Sequence, residues 1–127
     1  MSKLIFSWIP PILWMILIFT FSSRQKVAVT HEYASDFTIF KTLHIIEYAI
    51  LCALFFRAIY KTSKKSIPEM LAWAFILSLS YAFIDEYHQT FVPTRDGTFR
   101  DIFIDLIGIT GMSFYINYNL DKLKRFL

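Results

Sequence analysis

Four long apolar runs set what this chain can fold into: residues 4–21, 43–60, 67–84 and 102–118. Each is close to the ~20 residues that carry an α-helix across a ~30 Å hydrocarbon core. Lipid offers the backbone no hydrogen-bond partner, and a helix satisfies its own. A soluble helical bundle would need a polar face on each helix, and residues 12–21 and 71–79 offer almost none. The 127 residues are 56% hydrophobic, against roughly 45–50% in an ordinary soluble domain. The runs leave no length for a separate soluble domain. The expectation is an all-α integral membrane protein: one domain over residues 1–127, with four transmembrane helices in a bundle, spanning about 4–21, 39–60, 67–91 and 99–118.

The first run follows Lys3 and resembles a secretory signal, but it is long and contains Pro10 and Pro11. Ser22, Ser23 and Arg24 follow it in place of a small-x-small cleavage site, so a retained helix is expected. The proline pair should kink or break that helix. Cys52, the single cysteine, reads as a packing residue. Four spans put the N-terminus, the loop around residue 64 and the C-terminal tail on one side. That side carries Lys3, Arg57, Lys61, Lys64, Lys65, Lys122, Lys124 and Arg125 against Glu69 and Asp121. The other side carries Arg24, Lys26, Lys41, Arg95 and Arg100 against the remaining acids. The positive-inside rule then places both termini in the cytoplasm. The basic stripe reads as topology and headgroup contact, with no nucleic-acid partner.

With that orientation, polar residues from separate segments meet at one outer depth. Lys41, His44, Glu47 and Tyr48 open the second helix; Asp85, Glu86, His88 and Gln89 close the third; Asp101 and Asp105 open the fourth. Ionisable groups beside a lipid-facing segment are costly and usually have partners or a task. Ser66-Ile-Pro-Glu69 and Thr98-Phe-Arg-Asp101 share the spacing of a capping box, so the fourth helix should start near Phe99. Asp101 then has a simple structural reading, as the acid that completes the cap. Asp101, Asp105 and Gly108 fall on one helical face, where Gly108 and Gly111 would admit a neighbouring helix. Pro93-Thr-Arg-Asp-Gly97 reads as a turn with Gly97 in a left-handed conformation, folding Arg95 over the cluster.

Several chemistries fit these residue types. His44, Glu47, Asp85, Glu86 and His88 are candidate catalytic groups for proton transfer. Lys41, Tyr48, Gln89, Arg95, Asp101 and Asp105 are candidate binding groups, with Arg95 suited to a bidentate grip on phosphate or carboxylate. A two-His-one-carboxylate metal site at His44 and His88 is the weaker alternative, because no HExxH or cysteine pair accompanies them, and no cofactor is expected. A serine nucleophile at the end of the first helix has no motif behind it, and backbone contacts suit Thr20, Ser22 and Ser23 better. Opposed to all of these stands an ion-pair network that merely ties helix ends together.

At these residues the chain resembles the VanZ-like family of bacterial membrane proteins. The resemblance rests on Lys41-x-x-His44-x-x-Glu47-Tyr48, on Tyr81-x-x-x-Asp85-Glu86-x-His88-Gln89-x-Phe91-x-Pro93-x-Arg95, and on Asp101-x-x-x-Asp105-x-x-Gly108. It spans nearly the whole chain. The sequence departs at Thr94, where Gly is common, and at Asp105, where Asn is common. The resemblance implies a small multi-pass protein of the bacterial cytoplasmic membrane with a role in the cell envelope. The family's namesake is linked to low-level resistance to teicoplanin, a lipoglycopeptide antibiotic. No reaction carries over. The combined expectation is an outward-facing polar site that binds or modifies an envelope lipid or lipid-linked cell-wall precursor, with a possible effect on teicoplanin susceptibility. The alternative is a non-enzymatic protein whose polar cluster is structural and which alters the envelope surface or drug access. A transporter would show internal repeats, which the chain lacks.

Overall fold

A computed structural model describes residues 1–24, 30, 32–95 and 97–127; Lys26 and Asp96 lie outside the described residues. It contains four α-helices among them: α1 (Ser2–Ser22), α2 (Tyr33–Thr62), α3 (Ile67–Gln89) and α4 (Phe99–Leu123), followed by a 3-10 turn at Lys124–Phe126. α1, α2 and α3 are each long and apolar enough to cross a membrane.

The pattern of burial is the reverse of a soluble protein. Asp85, Glu86, Gln89, Asp101, Asp105, Ser7, Ser22 and Ser78 are buried, while Leu13, Ile16, Ile76, Ile84, Phe103 and Ile107 are exposed. Water would penalise so much exposed apolar surface, and lipid does not. Packing and polar contacts must therefore hold the helices together.

α2 is the central helix. It packs on α4, α3 and α1, whereas α1 reaches α3 only lightly and does not reach α4. The core combines Tyr48, Leu51, Phe55 and Phe56 of α2 with Ile18, Met70, Ala74 and Ile109. Deeper in the bundle Cys52 lies 3.5 Å from the Ser113 hydroxyl, both on helix faces turned to each other.

Local chemistry explains the helix ends. α3 opens on its expected box, with the Ser66 N–H donating to Glu69 Oε2 at 2.8 Å. α2 starts earlier than the apolar run suggested, because Asp36 in its first turn accepts from the Thr30 N–H and hydroxyl at 2.6 and 2.8 Å. α3 ends at Gln89, slightly before the expected residue 91. α4 continues past residue 118 to Leu123, through a non-helical Asn119 at φ −114° and ψ 16°. α1 runs unbroken through Pro10 and Pro11, so the proline pair does not end it.

Candidate functional site

The site is built where the C-terminal end of α3 and the first turns of α4 meet the N-terminal half of α2. Gly108 makes that meeting possible. A Cβ there would lie 2.1 Å from the Ile45 carbonyl oxygen and 3.2 Å from the Ala49 nitrogen, so only glycine lets α4 approach α2 this closely. One turn towards the N-terminus of α4, Asp105 faces His44, with Nδ1 3.3 Å from Oδ1. That is ion-pair distance without the alignment of a hydrogen bond. Glu47 Oε2 is 4.0 Å from the same His44 nitrogen.

A second layer runs from α2 to α3. The Tyr48 hydroxyl donates to Asp85 Oδ2 at 3.2 Å, and Gln89 Nε2 donates to the same oxygen at 3.0 Å. Nearer the N-terminal ends of α2 and α4, Lys41 pairs with Asp101. The Lys41 ammonium and the Arg100 guanidinium both lie over the Phe37 ring, at 5.5 and 5.6 Å.

Three expected contacts take a different form. Asp101 does not close the box at the start of α4, because it is drawn to Lys41. Glu86 of α3 substitutes for it: its Oε2 accepts the Thr98 N–H at 3.2 Å. Gly97 carries no positive φ. That conformation falls on Thr94, at φ 68°, while Gly97 is needed for space, since its Cβ would lie 2.5 Å from the Glu86 carbonyl oxygen. Arg95 turns to α1, donating from Nε to the Arg24 carbonyl at 2.8 Å and from Nη2 to the Phe21 carbonyl at 3.2 Å. It thereby satisfies main-chain acceptors at a helix C-terminus, where a cation is also favoured by the dipole. Its charge still acts on Glu47.

His44, Glu47, Tyr48, Asp85, Glu86, Gln89, Asp101 and Asp105 thus share one region with Lys41. His88 stands apart, its ring stacked on Phe19 of α1 at 4.3 Å. Sequence reasoning missed the part played by α1. Trp14 Nε1 donates to the Glu47 carbonyl at 2.9 Å, and the Tyr81 hydroxyl donates to the Met15 carbonyl at 2.6 Å. The available signal was Pro11, Trp14 and Ile18, spaced on one face of an otherwise featureless helix.

Comparison with protein families decides the kinship of this arrangement. The family model VanZ/LLP1 matches residues 6–119, from α1 almost to the end of α4. The chain belongs to the VanZ/LLP1 family. No curated protein and no solved structure matches it. The VanZ/LLP1 match and the three membrane-length helices together mark an α-helical membrane protein. Of the residues that carried the resemblance, Lys41, His44, Glu47, Tyr48, Asp85, Glu86, Gln89, Asp101 and Asp105 are gathered in this VanZ/LLP1 site, while Tyr81, His88 and Arg95 contact α1.

One electrostatic feature of the site remains. Both carboxylate oxygens of Asp105, Asp85 Oδ1 and Glu86 Oε1 are buried without a hydrogen-bond donor among the described residues. Each of these side chains has one set of partners, His44 for Asp105, Tyr48 and Gln89 for Asp85 and the Thr98 N–H for Glu86, so what is left over is buried acceptor atoms, and buried acceptors are nearly always paired.

Proposed function

We propose that this VanZ/LLP1 chain crosses the bacterial cytoplasmic membrane four times, with both termini in the cytoplasm, and uses its polar site at the extracytoplasmic face to bind or modify an envelope lipid or a lipid-linked cell-wall component. One observation carries the reading: α3 and α4 bury Asp85, Glu86 and Asp105 together, and each keeps at least one carboxylate oxygen without a hydrogen-bond donor among the described residues. A bundle selected for stability alone gains nothing from such groups. The charge asymmetry between the two ends supports the orientation. α4, at 25 residues, is long enough for a fourth span of roughly 37 Å, with Asp101 and Asp105 turned into the bundle. In this reading His44, Glu47, Asp85 and Glu86 orient the ligand or move protons, while Tyr48, Gln89 and the rim pair of Lys41 and Asp101 shape the opening.

A second reading has an observation of its own. Lys41 and Arg95, the cations suited to gripping an anion, are both taken up by partners within the protein. That favours a structural ion-pair network whose effect on the envelope surface, or on access of a lipoglycopeptide such as teicoplanin, needs no reaction. Native mass spectrometry of the purified protein separates the two. A retained lipid or lipid-linked precursor supports the first reading, and an empty protein refutes it. Sidedness is tested with Thr94→Cys in intact cells: labelling by an impermeant thiol reagent is expected, and protection overturns the orientation.

A further inference from the structure

The opposite end of the bundle, where α2 ends, α3 begins and α4 ends, carries charge that its acidic side chains do not neutralise. Two acidic side chains lie there. Glu69 is held by the N–H and hydroxyl of Ser66 at the start of α3, and only the field of Lys65 reaches it. Asp121 pairs with Lys124 at 2.9 Å. Lys61, Lys64, Lys65, Lys122 and Arg125 are exposed, and none has an acid within ion-pair distance among the described residues.

Topology alone needs only a count of cations on one side. The C-terminal segment does more. It stays helical to Leu123 and then winds a 3-10 turn over Lys124–Phe126. Leu123 and Leu127 pack against the core, which fixes the turn on the bundle. Lys124 comes near enough to Tyr60, the neighbour of Lys61, for their charges to interact. The cations of the tail and those of the α2–α3 connection therefore share one surface. Phe126 is left 66% exposed, with the Arg125 guanidinium over its ring at 4.8 Å.

An unpaired cationic surface takes an anion, and its apolar neighbours decide which. Tyr115, Tyr118 and Phe126 are exposed along the same last stretch of chain. A soluble phosphate gains nothing from them, whereas a bilayer offers acyl chains directly beneath its phosphates. We propose that the C-terminal turn and the α2–α3 connection form one docking surface for anionic phospholipid headgroups, with Phe126 seated below the phosphates. The surface lies at the other end of the bundle from the polar site and does not depend on what that site takes.

The full chain is reconstituted in vesicles of equimolar phosphatidylglycerol and phosphatidylcholine and released for native mass spectrometry. Retained phosphatidylglycerol is expected to exceed phosphatidylcholine roughly tenfold or more, because several cations act on one headgroup surface. Lys64→Gln with Lys65→Gln, and Lys122→Gln with Arg125→Gln, should each cut that excess severalfold, and all four together should bring it towards parity. These side chains are exposed, so the variants keep the fold. Arg24→Gln with Arg100→Gln removes as much charge at the other end and should leave the excess unchanged. Equal retention of the two lipids by the wild type overturns the proposal. So does an equal fall in the Arg24 and Arg100 variant, which would reduce the effect to net charge. An excess that survives all four substitutions also overturns it and assigns the lipid to the polar site, so the two readings fail separately. Inorganic phosphate, at ionic strength matched with sodium chloride, should not displace the lipid; selective displacement would give the surface to a soluble anion and overturn its assignment to lipid.

Discussion

Gly108→Ala is the sharpest perturbation the bundle offers. The added methyl would start 2.1 Å from the Ile45 carbonyl oxygen, where ordinary contact begins near 3.4 Å. The obstacle is the backbone of α2, which has no rotamer to turn away. The crossing must open by more than about an ångström, which breaks the close packing that drives association in lipid. Overpacking typically costs ~1–3 kcal/mol, and a clash with rigid backbone belongs at the upper end. Alanine returns up to ~1 kcal/mol in helix propensity, so a net loss of about 2 kcal/mol is expected. His44 and Asp105, 3.3 Å apart one turn away, should separate with it. Thermal unfolding in detergent, followed by circular dichroism, should show a midpoint several degrees lower. Gly111→Ala is the matched control, because a Cβ there meets nothing within 4 Å and keeps only the propensity gain. Equal midpoints for the two variants would refute the argument that α2 and α4 are held at glycine distance.

Thr94→Gly should stabilise the protein, since a left-handed residue with a Cβ costs ~1–2 kcal/mol and glycine gives back only part of that in the unfolded chain; an unchanged or lower midpoint would count against a strained turn. Tyr48→Phe removes one of two donors to Asp85 Oδ2 and should cost ~1–3 kcal/mol by the same melt, with Tyr60→Phe, whose hydroxyl is not part of this site, as reference. Arg95→Ala frees the Phe21 and Arg24 carbonyls, so amide exchange should rise at the end of α1 more than at the start of α3; Arg95→Lys should recover little, because one ammonium cannot reproduce the fork. Uniform exchange along the chain would remove Arg95 from that role.

The helices were legible because lipid imposes one demand on every spanning segment. Residues 67–84 announced α3, and Ser66 with Glu69 fixed its first turn. The start of α2 was hidden because Tyr33–Thr38 has no apolar run; Asp36 holds it through Thr30, a contact that spacing alone does not reveal. Gathering of the site was also legible, since residues at adjoining ends of antiparallel helices must meet at one end of the bundle. Partner choice was not. Arg95 and Glu86 both bind main-chain atoms, and a carbonyl or amide bears no signature in the sequence. Lys41 could then take Asp101, because Glu86 had already filled that acid's place at the cap.

That borrowed cap bears on the order in which the molecule is assembled. The amide of Thr98, which caps α4, finds its acceptor on the preceding helix, so the N-terminal end of α4 is complete only after α3 has arrived. Synthesis runs in that direction, and the segment made first waits with its carboxylate for the one made next. A chain in which α4 were paired to a different copy of α3 would still close the same contact. Exchange of the last helix between neighbouring molecules is therefore the misassembly this design leaves open, held off by the short stretch between Gln89 and Phe99.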